Sequence, residues 1–249
     1  MSGHSHASTI KRQKDLTDKA RGMAFSKVTR AISIAAKNGS DPETNFKLRL
    51  AIEQAKKINM PKDNIQRAIK KGSGELEGEK WEETTFEGYG PAGIAFVVEV
   101  VTNNKNRTTA EIKNIFERVG GSLAGPGAVA YQFKKSGLIT VEKSNNVDEQ
   151  ILKLMDLGPD EVEEQPDAIE VWAKTEELSK IKQQIDQIGL KVISTELVMQ
   201  PTVFVTVDDS GKAKNVLRFM EVLEEHEDVQ KVFANFDIPD EILAKADGI

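Results

Sequence analysis

The sequence predicts an α+β protein: an N-terminal three-helix basic domain, then two ferredoxin-like βαββαβ lobes, one inserted into the other. Three observations predict it. Residues 1–72 hold 16 Lys and Arg against 6 Asp and Glu, so the overall charge of −6 conceals a +10 head on a −16 body. Apolar residues recur at helical spacing throughout that head. Beyond Gly72–Gly78, β-branched strands alternate with helices, and from Leu138 to Val198 their order is βαββαβ.

The elements follow in order. A first helix runs from about Leu16 to Lys37 with Phe25, Val28, Ile32 and Ala35 on one stripe, and Asn38-Gly39 stops it. Asp41-Pro42 opens the second, Asp41 as cap and Pro42 at the first helical position. Its inward residues are Leu48, Ala51, Ile52, Ala55 and Ile58. The third starts at Pro61, turns Ile65, Ala68 and Ile69 inward and stops at Gly72-Ser73-Gly74. Two helices joined by so short a turn form a helix-turn-helix type of hairpin. Phe25 and Phe46 lie on apolar stripes and are expected in the core.

After the glycine-rich linker, Ile94–Val101 reads as a strand, Thr108–Val119 as a helix and Ala128–Phe133 as a strand. The middle block parses as strand Leu138–Glu142, helix Val147–Leu157, hairpin Val162–Glu164 with Ala168–Ala173, helix Glu176–Ile188 and strand Lys191–Val198. Strand Val203–Val207, helix Lys212–Glu225 and strand Val229–Phe236 follow. Joined to the three elements before residue 137, these again make βαββαβ. The expected domains are therefore 1–78, then 79–137 with 201–249, and 138–200 as the insertion.

Composition narrows the chemistry. There is no cysteine, which excludes disulfides, thiolate zinc sites, iron–sulfur clusters and cysteine nucleophiles. Histidine occurs only at positions 4, 6 and 226, too few for an internal metal centre. The most apolar run, Ile94–Val101, contains Glu99 and is far short of the ~20 residues needed to span a bilayer. No secretory h-region opens the chain, so a soluble cytoplasmic protein without a membrane partner is expected. Gly88-Tyr89-Gly90-Pro91-Ala92-Gly93 matches G-x-G-x-x-G but leads into a strand, and Pro91 removes an amide donor. A tight turn is the better reading. Acid pairs at Glu82-Glu83 and Asp208-Asp209 sit in loop-like stretches, and no nucleophile–base pairing stands out. The protein is expected to work by binding, with no enzyme activity, cofactor or metal.

The expected partner is nucleic acid, either DNA or ribosomal or messenger RNA. The candidate contacts are Lys11, Arg12, Lys14, Arg21, Lys27, Arg30, Lys56, Lys57, Lys62, Asn64, Gln66, Arg67, Lys70 and Lys71. The cations would neutralise phosphates and release counterions. Asn64, Gln66 and Arg67, near the start of the third helix, would reach base edges.

The run Asn59-Met60-Pro61-Lys62-Asp63-Asn64-Ile65-Gln66-Arg67-Ala68-Ile69-Lys70-Lys71-Gly72-Ser73-Gly74 resembles the signature of the YebC/PmpR family. That family includes the mitochondrial translational activator of cytochrome c oxidase subunit I. Gly3-His4-Ser5, Arg21-Gly22, Phe25-Ser26-Lys27, Glu87–Gly93, Asn104–Thr108 and Gly120-Gly121 also occupy the family's positions, so the resemblance spans the chain. It implies a helical head with two ferredoxin-like lobes, one within the other. It implies a transcriptional regulator that binds DNA, or alternatively a translation factor that acts at the ribosome and relieves stalling on proline-rich stretches.

Overall fold

The computed structural model describes the backbone of residues 18–247 and the side chains of residues 22–244. The head consists of α1 (Asp18–Ala36), α2 (Phe46–Lys57) and α3 (Lys62–Ser73). Ile32, Ala35 and Ala36 of α1, Leu48, Ala51 and Ala55 of α2, and Ile65, Ala68 and Ile69 of α3 share one core, which Met60 closes. Phe25 packs half-buried against it. Phe46 stands half-buried in the first turn of α2, with the Arg49 guanidinium 5.6 Å from its ring centre.

The second helix starts later than its sequence suggests. Asp41 caps a preceding turn through the Glu43 amide, and Asn45 caps α2 by accepting from the Leu48 amide. The side-chain amide of Asn45 also donates to the carbonyls of Ala35 and Gly39, which ties the α1–α2 turn together. Asx capping of two successive turns explains the offset, because Asp and Asn both compete for the start of a helix.

The helix stops within Gly72-Ser73-Gly74, as read from the sequence, but Gly72 itself still lies inside α3. A Cβ there would fall well inside van der Waals contact of the Ser33 carbonyl oxygen and 2.8 Å from the Ala36 Cβ. The absent side chain is what lets α3 press against α1, and Ser33 Oγ donates to the Ala68 carbonyl across the same crossing at 3.0 Å. The stop is Gly74, left-handed at φ 85°. Gly72→Ala is expected to destabilise the protein by about 2–3 kcal/mol in urea unfolding, because the backbone of α1 cannot yield as a flexible side chain would. Unchanged stability would mean the two helices can separate without cost.

Two compact units make up the chain: residues up to Gln132 together with those from Pro201 onward, and residues Phe133–Gln200. In the first, β1 (Glu82–Tyr89), β2 (Ala95–Thr102), α4 (Lys105–Arg118) and β3 (Ser122–Ala124) precede the break in the unit. The second unit holds β4 (Phe133–Glu142), α5 (Val147–Met155), β5 (Glu161–Glu164), β6 (Ala168–Ala173), α6 (Leu178–Gln187) and β7 (Val192–Pro201). The first unit then resumes with β8 (Val205–Thr206), α7 (Ser210–Glu224), β9 (Val229–Ala234), β10 (Phe236–Asp237) and α8 (Asp240–Asp247).

The second unit is a βαββαβ fold with strand order β5-β6-β4-β7, the ferredoxin-like arrangement. The sheet of the first unit has order β3-β1-β2-β9, with β1 and β2 joined as an antiparallel hairpin. Here the elements differ from the sequence reading. Glu82–Tyr89 is a strand rather than a loop, and Glu82-Glu83 begins it. Ala128–Phe133 is no strand: a 3-10 turn at Ala130–Gln132 leads straight into β4. The stretch around Val205 pairs only with β10, in parallel.

The core beneath this sheet is built on Phe96, Phe116 and Phe219, packed edge to face at 4.9–6.4 Å. This explains the glycine-rich run. A Cβ on Gly90 would lie 2.6 Å from the Phe96 ring and 2.7 Å from that of Phe219. The run makes room for aromatic packing and a tight turn.

Candidate nucleic-acid interface

The amphipathic α3 places its charges. With Ile65, Ala68 and Ile69 buried, Lys62, Gln66 and Lys70 form one outer row, and Asn64, Arg67 and Lys71 another. All six side chains are exposed, as are Lys56 and Lys57 in the last turn of α2. The connection from Lys57 to Lys62 is a tight turn: Met60 is buried, and Asn59 takes a left-handed φ of 57°. Among the described residues, Lys56, Lys62, Arg67, Lys70 and Lys71 enter no ion pair. The end of α2 and the outer face of α3 thus carry exposed cations, with Arg67 and Lys70 midway round α3 and the amides of Gln66 and Asn64 on either flank.

Two candidate contacts turn elsewhere, and this corrects the sequence reading. Arg30 is only 8% exposed. Its guanidinium bonds the Asp228 carboxylate at 3.0 Å, the Glu227 carbonyl at 2.6 Å and the Glu227 carboxylate, and it stacks 4.5 Å over Trp81. Lys27 donates to the Glu224 carbonyl at the end of α7, and burial pushes its ammonium down to about 8. Lys37 donates to the Trp81 carbonyl and Lys47 pairs with Glu83. These four cations fasten the head to its neighbouring sheet. The helix α1 is buried almost all round at Ala31–Ala36, an uncharged run that marks a central helix rather than a surface one. Lys11, Arg12 and Lys14 lie outside the described residues, as does the side chain of Arg21.

Asp228 is the hub of that fastening, and sequence reasoning missed it. It is 1% exposed and accepts from Thr108 Oγ1 at 2.6 Å and Arg107 at 2.9 Å, besides Arg30. Burial opposes its ionisation. Hydrogen bonds from Thr108, Arg107 and Thr102, with the Arg30 charge, outweigh that and hold its pKa below the ordinary Asp value. Asn104 caps α4 through the Arg107 amide, so the Asn104–Thr108 motif positions two of the partners of Asp228, Arg107 and Thr108. Glu87 is a second buried carboxylate. It accepts from the amides of Gly127, Val129 and Ala130 at 2.7–2.8 Å, which pins the loop ahead of β4.

A basic helical head fastened to one α+β sheet, with a second such unit interrupting the chain, defines a multidomain α+β class in which the helices carry the exposed cations. Two family profiles match: the TACO1/YebC protein N-terminal domain over residues 5–75, and the TACO1/YebC second and third domain over residues 81–236. The chain belongs to the TACO1/YebC family. It is 43% identical to a "probable transcriptional regulatory protein" of Sulfurihydrogenibium sp. over the full length of both. A protein of the same name from Dictyoglomus thermophilum is 47% identical over 98% of each chain. The crystal structure of a conserved hypothetical protein from Aquifex aeolicus superposes with a TM-score of 0.86 at 42% identity, covering 94% of this chain and 97% of that one. Among the described residues no helix is long and apolar enough to cross a membrane.

Proposed function

We propose that the protein is a nucleic-acid-binding regulator of transcription, and that the outer face of α3 with the end of α2 is the surface that meets DNA. The observation that carries this reading is the exposed outer face of α3, two rows holding Lys62, Arg67, Lys70 and Lys71 with one amide side chain in each, on a helix whose other side is buried. Lys56, Lys57, Lys62, Arg67, Lys70 and Lys71 supply phosphate contacts, which give affinity without sequence information. Asn64 and Gln66 carry the donor and acceptor pair that reads adenine in a major groove. The regulatory names of the Sulfurihydrogenibium and Dictyoglomus relatives support the transcriptional reading. The three-domain division belongs to the same proposal: residues 1–78 make the contact, while 79–137 with 201–249 and 138–200 form the acidic body.

The test is a salt titration of the full chain on duplex DNA and on structured RNA, with crosslinking to DNA and ribosome cosedimentation in lysate. Duplex binding that weakens linearly in log–log form with salt, and crosslinks to promoter regions, is the expected result. Cosedimentation with ribosomes without DNA crosslinks would move the target to RNA and overturn the transcriptional part. No affinity for either polyanion would overturn the whole.

A further inference from the structure

A second surface lies on the acidic body. The helices α4 and α7 run side by side over the aromatic core, and between them opens a groove of about 500 Å³. Its lining is Ile115, Val119, Phe219 and Val222, with Pro91 at one end. Val119, the cap residue just past α4, and Val222 of α7 are each 43% exposed, which leaves apolar surface open on both sides of the groove. Arg118 and Arg218 stand in the same groove, one from each helix, with the Asn215 amide beside them.

The charge pattern bears on what could occupy it. Residues 73–249 carry −16, yet no carboxylate lines this groove. Arg118 and Arg218 are exposed and enter no ion pair among the described residues. Glu111 and Glu227 line the adjoining cleft on the far side of Arg118, and neither pairs with it, since Glu111 is bonded to His226 and Glu227 to Arg30. Two guanidinium groups left facing one apolar floor, on a body with acids to spare, complement a ligand that is apolar and anionic together. A polynucleotide does not match this floor: Phe219 is fully buried and offers no stacking platform, and phosphates gain nothing from valines.

We propose that the α4–α7 groove is a docking site for an acidic peptide segment of a partner protein. Its bulky apolar side chains settle between Val119 and Val222, and its flanking Asp or Glu carboxylates pair with Arg118 and Arg218. Arginine suits the task because its planar fork binds a carboxylate through two parallel bonds. Helix-in-groove recognition places apolar anchors at i and i+4 with charges around them, which this groove would accept.

The experiment uses the full chain with labelled isoleucine and valine methyl groups. The probes are a short synthetic peptide with two leucines at i, i+4 among glutamates, the same peptide with lysines for glutamates, and a DNA duplex. Saturable shifts at Ile115, Val119 and Val222 with the acidic peptide alone are expected. The double variant Arg118→Glu with Arg218→Glu should bind it at least about tenfold more weakly, the loss of two charge-assisted pairs, and should gain affinity for the lysine peptide. Both arginines are exposed, so unmoved core methyl signals will show that the variant folds. Three results would overturn the proposal: no saturable shifts up to millimolar peptide, an affinity indifferent to the double variant, or the same methyl shifts produced by the duplex.

Discussion

Reversing Lys62, Arg67, Lys70 and Lys71 to glutamate is expected to cut duplex affinity by about 10³-fold at physiological salt. Each phosphate contact releases about 0.9 of a counterion, worth about 1 kcal/mol at that ionic strength, and four are removed together. The slope of log affinity against log salt should fall by about 3.6 in the same titration. Thermal unfolding should hardly change, since all four side chains are exposed and none belongs to the head core. Asn64→Ala with Gln66→Ala should leave the salt slope untouched and lower only the discrimination between sequences. A quadruple variant that binds as the wild type does would remove α3 from the interface. The same reversal at Lys27 and Arg30 would be uninformative about binding, because those side chains hold the head in place.

Asp228→Ala should destabilise the protein by about 3–5 kcal/mol, which is a large share of the stability of an ordinary domain. The loss comes less from the ion pair itself than from what remains. Arg30, buried against Trp81, would keep only Glu227 on the rim, and the Thr102–Thr108 hydroxyl pair would lose its acceptor. Urea unfolding with fluorescence of Trp81 reports the change directly. Acid should trace the same group. Because its folded pKa lies below the unfolded value near 3.9, the Asp228 contribution is complete above about pH 4 and is lost as pH falls through the folded pKa. An Asp228→Asn variant should therefore show a flatter acid limb. If its stability falls with acid as steeply as the wild type's, other carboxylates carry the acid response.

The local elements were legible where one face of the chain is buried and the other wet. From Leu138 to Val198 every element parsed in the right order and β6 residue for residue, because the helices are short, amphipathic and bounded by turn residues; β4 begins five residues earlier, at Phe133, and β7 runs on to Pro201. The outer face of α3 was legible for the same reason. What escaped was fixed by distant partners. The β1 strand reads as polar chain because its acids at Glu82 and Glu83 precede the buried half, and only pairing with β2 and β3 completes it. Arg30 looked like one more surface cation, since its acceptor Asp228 is 198 residues away. The Asn104–Thr108 motif was visible, but its purpose rests on that same aspartate. The stop at Gly72-Ser73-Gly74 was legible, but not that Gly74 alone makes it while Gly72 gives the α1 backbone its space.

The sheet order β3-β1-β2-β9 has a consequence for how the chain is born. The second partner of β2, β9, is made only after the whole interrupting unit has emerged, at about 5–20 residues per second a delay of roughly 6–25 s. During that interval the apolar edge of β2 is open, and Asp228 does not yet exist to receive Arg30. The interrupting unit has all its strands already and can close on itself, while Thr202 returns to clasp the Gln132 carbonyl at the crossing point. Synthesis therefore runs inward first: the middle of the molecule is finished before its beginning can be seated. A stalled or truncated chain lacking the last few dozen residues would present an unseated basic head and a bare strand, the state in which the protein is most exposed to proteases and chaperones.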